Sequence, residues 1–312
     1  MPPDSLDCVR AGLCASFLRM SIEPTTRPAA AAGTVTLGDL TVNRMAFGAM
    51  RLTGPGVIGE PDDPENAKAV LRRAVELGVN FIDTADSYGP EVNEHQIADA
   101  LHPYPEDLVI ATKGGLTHER QGEWLRDGRP EHLRASCEAS LRRLRVERID
   151  LYQLHSVDPS VPIEDSVGAV AELQHEGKIL HIGLSNVDTR QLAEARNVAP
   201  IVSVQNRYNV ADRHSEGILE ACEREGIPFL PWFPLGFGDL TRGAGRIAEM
   251  AAVHGATRAQ VALAWLLQRS PFMLVIPGTS SLEHLEENLA AASLELSESE
   301  FADLSRAAGA TL

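Results

Sequence analysis

Eight short apolar, β-branched runs, separated by stretches with helical spacing, constrain this chain more than any other feature. They are MAFGAM (45–50), NFIDTA (80–85), LVIATK (108–113), IDLYQLH (149–155), ILHIGLS (179–185), IVSVQN (201–206), PFLPWF (228–233) and FMLVIPG (272–278). Between them apolar residues recur every three or four positions, as in Leu133, Cys137, Leu141 and Leu144, or Ala259, Ala262, Leu263, Leu266 and Leu267. Such spacing buries one stripe of a helix. Eight strand–helix alternations in 312 residues predict an α/β fold of the (β/α)8 TIM-barrel type. An open doubly wound sheet would advertise GxGxxG after its first strand, but that position reads MAFGAMRLTGPGVIG and no helix start follows at once. Upstream, TVTLGDLTVN alternates with period two and predicts an N-terminal β-hairpin at the bottom of the barrel.

The barrel is expected to occupy residues 34–312. Residues 1–33 show no sustained periodicity and end in EPTTRPAAAAG, so they are read as an N-terminal extension, loose at least in its later part.

Charge narrows the partners. With 28 Lys+Arg against 44 Asp+Glu the formal net charge is -16, which opposes a phosphate-backbone footprint or an anionic membrane surface. Neither nucleic acid nor membrane is expected as a partner, and no apolar stretch nears the roughly 20 residues that cross a bilayer. A single anionic small molecule is compatible with an acidic chain, because a helix N-terminus can hold it locally. Cys8, Cys14, Cys137 and Cys222 form no CxxC pair or metal-type spacing, which suits a reduced, cytoplasmic setting and no metal site.

Four titratable residues stand at or just past strand ends: Asp83, Tyr88, Lys113 and His155. In a parallel barrel those ends converge on one mouth, so residues more than seventy positions apart reach one pocket. Singly, each has an ordinary explanation: a cap, a loop aromatic, a solvated amine, a satisfied imidazole. Jointly they make a proton-transfer site. A tyrosine, with a reference pKa near 10, needs a tuned phenol to act as an acid at neutral pH. The Lys113 ammonium would stabilise phenolate, and Asp83 would keep that ammonium charged. The same pairing argues against Lys113 as a Schiff-base amine in a lyase or isomerase.

The segments FIDTADSYGPEVNE, VIATKGG, DLYQLHS, GLSN, VQNRYN, PWFPLG and IPGTSSLEHLEEN follow an order that resembles the aldo-keto reductase superfamily from about Thr34 to near the C-terminus. The resemblance implies a (β/α)8 barrel that holds NADP, with NAD as second choice, in extended form and reduces an aldehyde or ketone, its small-molecule carbonyl substrate. It implies Tyr88 as proton donor, Lys113 and Asp83 as the tuning pair, and His155 as the residue that orients the carbonyl. Ser185, Asn186 and Gln205 match positions that hold the nicotinamide carboxamide, and Trp232 the position that stacks on its ring. Pro234, Leu235 and Gly236 follow in the cofactor segment. Thr279, Ser280 and the helix after them match the 2′-phosphate side, and Glu287 and Asn288 the adenine contacts. Gly278 and His284 depart from the pattern, standing where Lys and Arg are common, so Arg242 or Arg246 is expected to assist. Met50, Arg51, Trp124 and the loop after His155 are expected to wall the substrate side. A cofactor-binding regulatory subunit with little turnover is the alternative function, and the intact four residues count against it.

Overall fold

The computed structural model describes residues 27–118, 122–236 and 245–309. A hairpin of β1 (Thr34–Leu37) and β2 (Leu40–Asn43) precedes β3 (Phe47–Gly48), β4 (Phe81–Asp83) and β5 (Val109–Gly114). A second hairpin, β6 (Leu116–His118) and β7 (Trp124–Arg126), interrupts the alternation before β8 (Ile149–Leu154), β9 (Ile179–Ser185), β10 (Ile201–Arg207) and β11 (Phe229–Trp232). The seven strands β3, β4, β5, β8, β9, β10 and β11 pair in that order, all parallel.

The eighth run, 272–278, makes no continuous strand among the described residues, yet it joins the two sheet edges. The Leu274 amide donates to Phe229 O at 2.9 Å and the Val275 amide to Arg44 O at 2.8 Å, while Ala46 and Gly48 donate to Val275 O and Pro277 O at 2.9 and 3.2 Å. Pro277 has no N–H, so the ladder stops there. The sheet is thereby closed into the barrel expected from the sequence, with a bridged eighth position in place of a full strand.

Both faces of these strands are buried, as in other parallel sheets covered by helices. Inside, Phe81, Val109, Ala111, Leu151, Leu230, Leu274 and Ile276 meet Val35, Leu37 and Val42 of the β1–β2 hairpin, which therefore floors the barrel. Leu37 and Val42 are fully buried, each contributing roughly 1.5–3 kcal/mol by burial.

The outer helices carry local signals that start them. α1 (Pro64–Glu76) opens with Asp63 accepting the Asn66 amide at 2.9 Å and Pro64 in the first turn, and it buries Ala67, Val70, Leu71 and Ala74. α2 (Val92–Leu101), α3 (Pro130–Leu144) and α4 (Ile163–His175) follow, then α5 (Thr189–Arg196), which has a capping box between Asp188 and Gln191. After α6 (Glu216–Glu225) and α7 (Arg246–His254), α8 (Arg258–Arg269) begins at a second capping box between Thr257 and Gln260. α9 (Leu282–Ala290) and α10 (Glu298–Gly309) complete the ring.

Order begins before Thr34. Pro28–Ala32 form a 3-10 turn in which Ala29 is buried and donates to Leu77 O at 3.2 Å, so these residues of the 1–33 extension belong to the packed body. Arg44 ties this turn to the closing segment: its guanidinium donates to Ala32 O (3.4 Å), Leu267 O (2.5 Å), Ser270 O (2.5 Å) and Met273 O (3.1 Å). Burial pushes Cys137 and Cys222 up to about 12, so both stay as inert thiols; Cys8 and Cys14 lie outside the described residues.

Candidate active site

The register of the sheet brings Asp83, Tyr88, Lys113 and His155 together. Asp83 ends β4, Lys113 lies near the end of β5 opposite Gln153 of β8, and His155 follows β8 directly. The Lys113 ammonium donates to Asp83 Oδ2 at 2.6 Å, to Thr84 O at 2.9 Å and to the Tyr88 hydroxyl at 3.3 Å. The Tyr88 and His155 rings meet edge to face with centroids 5.8 Å apart, and Ser87 Oγ lies 3.4 Å from His155 Nδ1. All four side chains are buried, Lys113 completely.

Burial sets the protonation states. It acts against the Lys113 ammonium, but Asp83 and then Tyr88 more than offset it and hold Lys113 above the ordinary lysine value. Burial also pushes the Tyr88 phenol up, and the opposing pull of Lys113 does not cancel it. The phenol is therefore kept as a protonated acid instead of being drawn toward phenolate, which corrects the balance expected from the Lys113 charge alone. For His155, burial and then the Lys113 charge push the imidazole well below its ordinary value. It is a neutral ring at physiological pH, suited to hydrogen bonding without adding charge.

Gln153 and Gln205 complete the setting of Asp83. Their side-chain amides donate to Asp83 Oδ1 at 3.1 and 2.8 Å, so the carboxylate shares its burden between Lys113 and two neutral donors. Gln153 went unnoticed in the sequence. Its signal was a second polar residue in the strand after Asp150, two positions before His155.

Asp83, Tyr88 and His155 open into a cleft of about 1290 Å³, above the ~300–1,000 Å³ usual for one small ligand, with Lys113 buried behind them. Ser185, Asn186, Gln205 and Trp232 line it beside those three. Asn186 adopts φ 58°; its amide donates to His155 O at 3.0 Å and Ser185 Oγ at 3.1 Å, and its Oδ1 accepts from Trp232 Nε1 at 3.0 Å. Arg207 sits 5.9 Å from the centre of the Trp232 ring. Pro234 and Leu235 line the cleft as well, whereas Gly236 turns the chain next to it with φ 56°.

At the far end stand Gly278, Thr279, Ser280, His284, Glu287 and Asn288. Ser281 caps α9 by accepting the His284 amide at 3.3 Å, leaving the first amides of that helix without intrahelical partners, as at other helix N-termini that can hold an anion. Gly278 is required by packing: a Cβ there would lie 2.5 Å from Gly48 O and 3.5 Å from Arg51 Cγ. Gly278→Ala is expected to cost about 1–3 kcal/mol, seen as a lower midpoint in thermal or urea unfolding; an unchanged midpoint would show that the backbone yields freely.

Arg246 does not serve the cleft, being paired with Glu249 at 2.8 Å and with Asp303. Arg242 lies outside the described residues. The arginines that do line the cleft are Arg51 and Arg258, the latter the first residue of α8. Met50 and Trp124 line it too; Trp124 stacks on His118 with centroids 3.8 Å apart, and the loop after His155 contributes Ser156, Asp158 and Pro159 to an adjoining hollow. The donor set suits a dinucleotide: amides and hydroxyls at the reacting end, an indole between, arginines and a helix N-terminus at the far end.

Comparison with known proteins agrees with this geometry. The aldo/keto reductase family model matches residues 44–308. The chain is 50% identical over 276 residues to an uncharacterized oxidoreductase of Schizosaccharomyces pombe, covering 88% of this chain and 90% of that one. It is 48% identical over 271 residues to pyridoxine 4-dehydrogenase of Escherichia coli, covering 85% and 94%. A solved aldo/keto reductase from Klebsiella pneumoniae in complex with NADP and acetate superimposes with a TM-score of 0.76 at 29% identity, covering 88% and 94%. With the buried tetrad at the mouth of a closed barrel, these matches make the chain a member of the aldo/keto reductase family of oxidoreductases.

Proposed function

We propose that the protein is an NADP-dependent reductase of aldehydes or ketones in which Tyr88 delivers the proton. The observation that carries this reading is the Lys113 ammonium held between Asp83 and the Tyr88 hydroxyl, at 2.6 and 3.3 Å, at the inner end of a cleft large enough for a dinucleotide and a substrate. The chemistry that a bound nicotinamide supplies is hydride transfer to the carbonyl carbon. Tyr88 gives its proton to the carbonyl oxygen, and Lys113 stabilises the phenolate left behind. His155, neutral and edge-on to Tyr88, aims the carbonyl at the phenol. The Ser185 hydroxyl offers a donor and Asn186 Oδ1 an acceptor to a carboxamide, Trp232 offers a ring face, and the α9 N-terminus with Thr279, Ser280 and Arg258 suits a phosphate.

The reading is tested by following nicotinamide absorbance with NADPH and NADH in parallel against aldehydes, ketones and pyridoxal, the last because of the E. coli relative's name. Oxidation of NADPH with at least one carbonyl supports it. Tight NADPH binding with no turnover on any of them would favour a regulatory role. Removing the fixed charge in Arg258→Ala is expected to raise the KM for NADPH about tenfold relative to that for NADH, the worth of one charge-assisted contact. An equal change for both cofactors would remove Arg258 from the phosphate side.

A further inference from the structure

Behind the turn that carries Tyr88 lies a second group of ionisable side chains, which the reaction described above does not use. Asp86, two residues before Tyr88, has its backbone fixed: its amide donates to Lys113 O at 3.3 Å, and its carbonyl accepts the Glu91 amide at 2.8 Å. Its side chain is less well provided for. Oδ1 is sealed from solvent and has no hydrogen-bond partner among the described residues. The cation on that side, Arg143 of α3, is committed elsewhere: Nε donates to Glu94 Oε2 at 2.6 Å, Nη1 to Glu91 Oε1 at 3.3 Å and Nη2 to Ser140 Oγ at 3.2 Å. Glu94 of α2, fully buried, also accepts Thr112 Oγ1 at 2.6 Å.

Three acids thus crowd one guanidinium, and Glu94 and Glu91 hold it. Burial first, then the Glu94 charge, push the Asp86 carboxyl up to about 7, while Arg143, the Ser136 hydroxyl and the Ser87 amide pull the other way. The groups facing Asp86 are Glu94 from α2, Arg143 and Ser136 from α3, Tyr152 from β8, and Tyr88 on its own turn. Asp86 and Tyr88 share one tight turn, closed by the Tyr88 amide on Ala85 O at 3.2 Å, so a buried negative charge on Asp86 disfavours phenolate two residues away and opposes Lys113.

We propose that Asp86 is a positioning residue that acts through Tyr88: a carboxylate left short of a counter-ion at the back of the turn holds the proton on the phenol to higher pH. This rests on the reductase reading. Reduction needs phenol and oxidation of the alcohol needs phenolate, so the charge widens the pH range of reduction and delays that of oxidation.

The test compares kcat/KM from pH 5 to 10 for benzaldehyde with NADPH and benzyl alcohol with NADP, in the wild type and in the neutral variants Asp86→Asn and Asp86→Ser. The limb on which oxidation rises with pH is expected to fall by on the order of half a unit to one unit in both variants, and to return in Asp86→Glu. Stability gives a second readout. A carboxyl whose folded pKa is raised costs nothing below its ordinary value near 4 and most above the raised value, so Asp86→Asn is expected to melt higher than the wild type at pH 8 and not at pH 4. A limb unmoved in folded, active neutral variants overturns the proposal, whatever happens to their melting. Should both neutral variants fail to fold, Ser136→Ala serves: it removes a donor from Asp86, favours the uncharged carboxyl, and must move the limb the same way. A wild type with no activity in either direction overturns the reductase reading itself, which distinguishes the two failures.

Discussion

Tyr88→Phe is expected to lower kcat for carbonyl reduction by about 10²–10⁴-fold while leaving NADPH affinity within about twofold. The substitution removes one oxygen. The ring remains, with its edge-to-face contact to His155 at 5.8 Å, and Lys113 keeps Asp83 and Thr84 O as partners at 2.6 and 2.9 Å. The loss should therefore fall on the chemical step, with KM little changed. Turnover on several aldehydes together with a fluorescence titration of NADPH checks both halves. Turnover within tenfold of the wild type on good substrates would mean that another group supplies the proton.

Lys113→Met should do more harm, because it removes a charge that the fold depends on as well as the reaction. Asp83 would keep Gln153 and Gln205 but lose its only cation among the described residues, at a side chain 4% exposed. Breaking a buried ion pair from one side costs about 3–5 kcal/mol. For a domain of this size that lowers Tm by roughly 10 °C. The double variant Asp83→Leu/Lys113→Met removes both charges and is expected to recover most of the stability and none of the activity. Calorimetry on the two proteins decides the matter: a double variant no more stable than the single one would mean that the pair contributes by packing and not by charge.

Much of the barrel could be read from the chain. β9 matches the run 179–185 in both ends, and Leu133, Cys137 and Leu144 face the core from α3 as their spacing requires. These features depend on local periodicity, which a sequence displays directly. The eighth run was as apolar as the others, yet its pairing is set by prolines at 271 and 277 and by whichever edges remain open, so it became a bridge. The β6–β7 hairpin stayed hidden because GGLTHERQGEWLR has no clean alternation.

The site divides in the same way. The four acid–base residues were legible because their residue types and strand-end positions are themselves the signal. The net direction of the Tyr88 shift was not, since it depends on how deeply the phenol is buried, a property of the whole fold. The bond from Gln205 to Asp83 spans 122 positions, and no spacing rule reports it. Arg258 was passed over because a first-turn arginine normally reads as a solvated helix start; only the packing of α8 beside α9 brings it to the cleft.

The clamp formed by Arg44 has a consequence in time. Its guanidinium meets carbonyls at Leu267, Ser270 and Met273, up to 229 positions further along the chain, and the backbone at 44–48 pairs with that same stretch. During synthesis the first strand must wait, one edge unpaired and its floor hairpin without a complete wall, until residues 267–277 have been made. Contacts this distant are slow to form, and an unpaired edge invites other chains in the meantime. Until that segment arrives the sheet cannot close, and its two edges stay open to other chains.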